Sequence, residues 1–497
     1  MKAMFILLNT ITVLFGPVNK KMAVNARIDT PYLFEAPVGT DVTVTLQQAL
    51  NQHKIVYINK SYLISNSLTI PSGGTLSSGK LGNGILKASN TREGLLNSNG
   101  TYINISYANA VSVLAVKFEP ADNMVNLSGY RNTVVLLSNS ANCTISGNNF
   151  DFAFNYAKGM EAVWITGPYS RSNIVSNNYI NTLGITYCEN GASYNIVRRN
   201  HIINSHQNAL GGIGNGTAAC MYNQVLDNTI ENAGRMGIED QRNVIGTVIS
   251  GNTILGTGKL IGLAAGEGTG ISAVAKNTIV ENNKITDSKD YYIEVGGSNK
   301  LLVANNSIFD TGVCSGIFVN FLGSTIPTAA NTTIISKNTI VGCKKGIETF
   351  GKASKQYIAI DSNIITNPVT HGINLNFGSS KGSVVTLAGN NITFSNKTSS
   401  TRFGIATYST ITSGKQNYIF NVSNNIFTYM GLATKGSGHD DTMLIAVDNA
   451  VISNNTIIGY PGGFNIGVTN NGAVTTGVKF ITNTVKLASW NIKQFSN

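Results

Sequence analysis

Acidic side chains are few in this sequence, and one group of them keeps the company that acid–base chemistry needs. Glu239 adjoins Asp240, with Arg235 just before the pair and Arg242 just after it. His206 precedes them, and Asp290, Tyr292 and Glu294 follow. Hydrolysis of a glycosidic bond needs two carboxyls with different proton affinities. Glu239 as general acid, with Asp240 or Glu294 as its partner, would supply them. Eliminative cleavage of a uronic acid needs instead a base and a group that neutralises the substrate carboxylate. His206, Arg235 and Arg242 are the candidates for that route. Substrate contacts are expected from Arg242, Tyr292 and Glu161, and from Trp164 and Phe318 as platforms for sugar rings. Tyr187, Tyr292 and Phe350 are further candidates for sugar stacking. Glu267, in Ala265-Gly-Glu-Gly-Thr-Gly270, reads as a loop acid. Gly438-His-Asp-Asp441 lacks the remaining ligands of a three- or four-ligand site. Neither a metal nor a cofactor is expected.

These residues recur in a frame. A Gly-Ile-x phrase appears as Gly159-Met-Glu161, Gly184-Ile-Thr186, Gly237-Ile-Glu239, Gly316-Ile-Phe318, Gly346-Ile-Glu348, Gly372-Ile-Asn374 and Gly404-Ile-Ala406, and Tyr292-Ile-Glu294 fits it. Strand side chains alternate faces, so an inward Ile leaves the next residue outward. Stacking the phrases predicts an outward column: Glu161, Thr186, Gly211, Glu239, Gly262, Glu294, Phe318, Glu348, Asn374. Gly211 and Gly262 would leave depressions on both sides of Glu239. Acids on alternate coils would stand about 10 Å apart, twice the inter-strand spacing. That is at the edge of the roughly 6.5–9.5 Å expected of inverting glycosidases.

The column requires a stacked architecture, and a second phrase supplies it. Asn, a variable residue and an apolar residue recur as Asn148-Asn-Phe150, Asn178-Tyr-Ile180, Asn200-His-Ile202, Asn228-Thr-Ile230, Asn252-Thr-Ile254, Asn283-Lys-Ile285, Asn306-Ser-Ile308 and Asn338-Thr-Ile340. Later copies centre on Ile364, Ile392, Ile426, Ile457 and Val485, with spacings from 22 to 34 residues. One turn of a β-solenoid has this length. Asn suits its bends because it tolerates the left-handed conformation, and stacked Asn side chains can bond from coil to coil. A β-sandwich would not repeat one phrase thirteen times, and leucine-rich repeats would show Leu at fixed offsets. The expected fold is all-β: a right-handed single-stranded parallel β-helix.

The front end differs. Thr45-Leu-Gln-Gln48 reads as a helix start, with Thr45 as cap and Gln48 reciprocal. Leu46, Ala49 and Leu50 would turn this short helix onto the open first coil, covering its strand edges. Strands are predicted at Ile55-Val-Tyr-Ile58, Tyr62-Leu-Ile64 and Leu68-Thr-Ile70. Together with Thr40-Asp41, Leu46-Gln-Gln-Ala-Leu50 and Leu68-Thr-Ile-Pro-Ser-Gly73, this stretch resembles the start of pectate-lyase-superfamily proteins, many phage tailspikes among them. The family's Pro-x-Gly before the Tyr is replaced here by Asn59-Lys-Ser61. The resemblance implies a tailspike-like depolymerase of a bacterial surface polysaccharide (capsule, exopolysaccharide or O-antigen), a homotrimer on a virion tail or outside the cell. A secreted lyase or epimerase for acidic glycans and a non-catalytic adhesin are the rivals. The superfamily's pectinase motifs, Asn-Thr-Asp, Asp-Asp, Gly-His-Gly and Arg-Ile-Lys, are absent.

The expected organisation is an N-terminal segment 1–40, signal-like or docking, a cap helix with the first coils over 41–130, repeats over 131–490 and a tail 491–497. Charged residues are 12% of the chain and hydrophobic ones 42%, which excludes a disordered chain. Net charge is +11, a mild pointer to an acidic glycan. The basic residues are dispersed, so no nucleic-acid partner is expected. Nor is a membrane partner, because no segment after the N-terminus reaches the ~20 apolar residues of a spanning helix. Cys143, Cys188, Cys220, Cys314 and Cys343 form no metal or disulfide pattern and are expected as buried thiols.

Overall fold

A computed structural model of the chain describes residues 27–486, apart from 80–81, 90–100, 122–131, 153–159, 297–299, 313, 322–330, 354, 380–381, 396–401, 408–417, 431–439, 460–461 and 467–475. Short strands stack in parallel into three long sheets of 17, 16 and 15 strands. One coil shows the plan: Ile174–Ser176 lies in the first sheet, Tyr179–Asn181 in the second and Gly184–Glu189 in the third. The expected all-β parallel solenoid is the observed one.

The apolar residue of the Asn phrase forms a column inside the second sheet, Phe150 under Ile180, Ile202, Ile230 and Ile254, continuing through Ile285, Ile308 and Ile340. Each is fully buried, which stabilises the fold by about 2–3 kcal/mol per side chain. Two centres shift by one residue. Ile365 and Phe427 occupy the column, while Ile364 and Ile426 are 48% and 40% exposed. Where two apolar residues follow the Asn, strand parity admits only the second to the core.

The Asn residues form a ladder at the bend between the first and second sheets. Asn178 donates to Asn200 Oδ1 at 2.8 Å, Asn228 to Asn252 at 3.0 Å and Asn390 to Asn425 at 2.9 Å. Each amide also donates to a core carbonyl, such as Asn283 to Ile249 O at 3.0 Å. The left-handed residue is the one before the ladder Asn: Asn177, Arg199, Asp227, Asn282, Asn305, Lys337 and Ser362 all have φ near +55°. The ladder Asn is therefore selected for its stacked side chain rather than for tolerance of positive φ.

Glycine opens the third-sheet strands because the corner is crowded. A Cβ on Gly316, Gly346 or Gly372 would stand 2.6–2.7 Å from the carbonyl of the next coil and 2.6–2.7 Å from an Ile of the second-sheet column.

The predicted cap helix spans Thr43–Gln52 and buries Leu46, Ala49 and Leu50. It starts earlier than Thr45. Asp41 Oδ1 accepts the Thr43 N–H at 3.0 Å and its hydroxyl at 2.6 Å, while the Thr45 hydroxyl donates to Val42 O. Before the helix, Tyr32–Phe34 pairs with Val56–Ile58 and joins the first sheet. All five cysteines are free and buried. Residues 1–26 and 491–497 lie outside the described residues.

The connections single out one sheet. The first-to-second bend takes two residues, as at 177–178. The second-to-third connection runs from two residues, 182–183, to the fifteen of 256–270. The third-to-first connection reaches the twelve of 467–478. Variable loops thus border the third sheet on both sides, where a solenoid builds its binding face.

Candidate functional site

The site lies on the outer face of the third sheet. Register gives its central column as Leu136, Trp164, Thr186, Gly211, Glu239, Ser272, Glu294, Phe318, Glu348 and Asn374. Two expected members are replaced. Ser272 takes the place of Gly262, because 256–270 leaves the coil as a loop and the chain re-enters the sheet at Ile271–Ala273. Trp164 takes the place of Glu161, because Val163 is the inward residue beside Ile185 and a register shift separates Glu161 from it.

Glu239 and Glu294 are therefore two strands apart on one face, about 10 Å between their backbone positions. Small residues flank Glu239. An added Cβ on Gly211 would meet nothing closer than 3.9 Å, and Ser272 stands on the other side. Asn208 Nδ2 donates to Glu239 Oε2. Glu294 Oε2 accepts from the Ser272 hydroxyl at 3.0 Å, and Oε1 from Asn320 Nδ2 at 3.1 Å. These bonds fix each carboxylate against the sheet. Glu348 accepts from Ser315 at 2.7 Å and from Lys345.

Asp240 falls on the opposite face of the strand from Glu239 and is fully buried. Tyr187 donates to its Oδ1 at 3.0 Å. Burial pushes its carboxyl up to about 7. Strand alternation thus removes Asp240 as the direct partner of Glu239. Tyr187 is a core residue as well. Tyr292 is turned into the core at 1% exposure. Its neighbour Tyr291 is half-buried and stacks on Phe318 at 4.2 Å and 8°, and Phe350 follows at 6.4 Å. Adjacent tyrosines hid which one faces out.

Arg235 and His206 sit in successive coils of the corner before the face. Arg235 Nη2 pairs with Glu267 Oε1 at 3.1 Å, and Glu267 Oε2 accepts the Ala264 N–H. The acid of the long loop is thereby tied to the corner. Burial lowers His206 to about 4, which leaves the ring neutral at neutral pH. Arg242 ends the strand Ile238–Arg242, and its side chain lies outside the described residues, as do Gly438, His439 and the side chains of Asp440 and Asp441. Glu161 rests its Oε2 against Gly184, 2.9 Å from where a Cβ would stand, and burial raises its carboxyl to about 8.

Trp164 borders an open cavity of about 580 Å³ that also holds Asn104, Leu136, Thr166, Glu189 and Asn215. Its indole N–H and the Thr166 hydroxyl both donate to Glu189 Oε2 at 3.0 Å. Glu189 was not legible in the sequence, because a register shift beyond Trp164 moves it out of the regular frame. Among the described residues no cluster suited to a metal ion is present.

The description of a right handed beta helix region matches residues 262–398. The chain is a right-handed parallel β-helix. The β-helix is consistent with the pectate-lyase-like front end. No curated protein matches the sequence. Among solved structures it is similar to the catalytic unit of a thermostable α-1,3-glucanase from Streptomyces thermodiastaticus, at 14% identity, 94% of this chain, 70% of that chain and TM-score 0.37. It is also similar to a surface adhesin of Streptococcus pneumoniae, at 12% identity, 89% and 88% coverage and TM-score 0.38. A tailspike protein of the Escherichia coli O157:H7 bacteriophage CAB120 is similar at 13% identity, 82% and 47% coverage and TM-score 0.39. Among the described residues no helix is long and apolar enough to cross a membrane.

Proposed function

We propose that the β-helix is a polysaccharide depolymerase that hydrolyses glycosidic bonds on the third-sheet face. The observation that carries this reading is the register that sets Glu239 and Glu294 two strands apart on one surface, with Gly211 and Ser272 leaving room beside Glu239. Glu239, 6% exposed between two small residues, is the proton donor in this reading. Glu294 activates the water on the far side, which gives inversion at the anomeric carbon. The commitment of Arg235 to Glu267 favours hydrolysis over elimination, because elimination needs a cation for the substrate carboxylate. The resemblance of the front end to tailspike-like proteins motivates a bacterial surface polysaccharide as substrate, and a homotrimer on a virion or outside the cell.

The test incubates the protein with capsular, exopolysaccharide and O-antigen preparations and follows chain length by size-exclusion chromatography, with absorbance near the ultraviolet edge recorded. Shortening without unsaturated ends, abolished in Glu239→Gln and Glu294→Gln, supports hydrolysis. Unsaturated ends would move the chemistry to elimination. Binding without shortening would make the protein an adhesin.

A further inference from the structure

The third-sheet face continues well beyond the two carboxylates. From Glu239 the column passes Gly211 and Thr186 to Trp164, about 14 Å along the axis at three inter-strand spacings. The two intervening positions carry small side chains, and Thr186 and Glu239 lie low against the sheet. The column reaches the cavity of about 580 Å³ at Trp164. An indole face is an apolar platform of the kind that the C–H face of a sugar ring stacks upon. Here the indole cannot swing away, because its N–H is bonded to Glu189. Glu189, Asn104 and Asn215 line the same cavity and supply acceptors and donors for sugar hydroxyls.

Among the described residues, the charged one that lines the cavity is an acid, Glu189. Net charge is +11, yet Glu189 and Glu294 take their hydrogen bonds from Trp164, Thr166, Ser272 and Asn320, all neutral donors. Neither makes an ion pair among the described residues. Among the described side chains, Arg235 is bound to Glu267 and Lys345 to Glu348, Arg402 is fully buried between Phe394 and Tyr429, and no basic residue lines the cavity beside Trp164. A polyanion seated in the cavity would set its charges against the Glu189 carboxylate at close range.

We propose that the Trp164–Glu189 cavity is a distal subsite that holds one sugar ring of an uncharged glycan running along the third-sheet face. This deepens the depolymerase reading and rests on the same face, and it reverses the expectation of an acidic substrate drawn from net charge.

The test measures binding by affinity gel electrophoresis with the Glu239→Gln protein, so that cleavage does not interfere. The neutral probes are dextran, mixed-linkage β-glucan, galactomannan and α-1,3-glucan. The anionic probes are polygalacturonate, alginate and hyaluronan. The expected result is retardation by a neutral polymer and by none of the anionic ones. Trp164→Ala should weaken that retardation about tenfold, the loss of one stacked ring, with circular dichroism unchanged. Tryptophan fluorescence gives a second readout: a neutral ligand should still shift the emission after Trp490→Phe, and should not after Trp164→Phe. Retardation by an anionic polymer, or by no probe, overturns the proposal, as does an undiminished affinity in Trp164→Ala. The two readings fail separately. A neutral polymer bound but left intact by the wild-type protein would sink hydrolysis and leave the subsite standing. An anionic polymer shortened by the wild-type protein would do the reverse.

Discussion

Tyr187 reaches across an intervening coil to donate its hydroxyl to Asp240 Oδ1 at 3.0 Å, and it does so over Gly212. A Cβ on Gly212 would stand 2.4 Å from the Tyr187 hydroxyl and 2.7 Å from Asp240 Oδ1. Only a glycine leaves the path open. Gly212→Ala should therefore cost about 1–3 kcal/mol through overpacking, read as a lower denaturation midpoint.

Asp240 also sets a pH dependence. Its carboxyl moves from 3.8 to about 7 on folding, so the folded state holds the proton more tightly. Between those values the native chain binds more protons than the unfolded one, and stability falls as pH rises. Below pH 4 the contribution is fully present, and above about pH 7 the loss levels off, at most about 4 kcal/mol. Asp240→Asn removes this slope. Melting curves from pH 4 to pH 8 should converge with wild type at the acid end and separate in favour of the variant at the alkaline end. Parallel curves would count against the buried acid.

Asn283 stands in the middle of the ladder. Its Oδ1 accepts from the backbone and side-chain nitrogens of Asn252, and its amide donates to Ile249 O and Asn306 Oδ1, all at 3.0 Å. Asn283→Ala leaves several buried groups unpaired and should cost about 3–5 kcal/mol. Asn483, at the end of the described ladder, is only partly buried and makes fewer such bonds. Asn483→Ala should cost about 1 kcal/mol. Urea unfolding of the two variants compares them directly, and equal losses would contradict the ladder account.

The Arg235–Glu267 pair tethers a loop whose tip, Ile261, is fully exposed. Glu267→Gln removes a partly exposed ion pair of about 1 kcal/mol. Local opening should rise about fivefold, and proteolysis within 259–266 should quicken by a similar factor. Cleavage at the wild-type rate would show that backbone bonds alone, such as Leu260 N–H to Gly234 O at 2.9 Å, hold the loop.

For the catalytic pair, Glu239→Gln and Glu294→Gln should each lower kcat by about 10²- to 10⁴-fold with little change in KM. Tyr292→Phe, a core substitution, should leave kcat unchanged. A kcat unaltered in both glutamine variants would remove the paired-carboxylate mechanism.

Much of this fold is written along the chain. The Asn-x-Ile phrase repeats because every coil must meet the same two demands, a stackable amide at the bend and a branched apolar residue inside. The Gly-Ile-x phrase repeats because the corner excludes a Cβ. Periodicity therefore specifies the solenoid, the ladder, the third-sheet strands and the outward place of Glu239, Glu294, Phe318 and Glu348. Where local pattern is ambiguous by one residue, parity decides, and parity is settled only by pairing with neighbouring coils. That is why Phe427 rather than Ile426 holds its position, while breaks in the alternation put Tyr291 rather than Tyr292, and Trp164 rather than Glu161, on the outer face. The same holds for Ser272, brought into the column by a loop that leaves the coil and returns, and for Glu189, brought beside Trp164 by a register shift. A sequence states which residues alternate; hydrogen bonds between coils 20 or more residues apart state which of them meet.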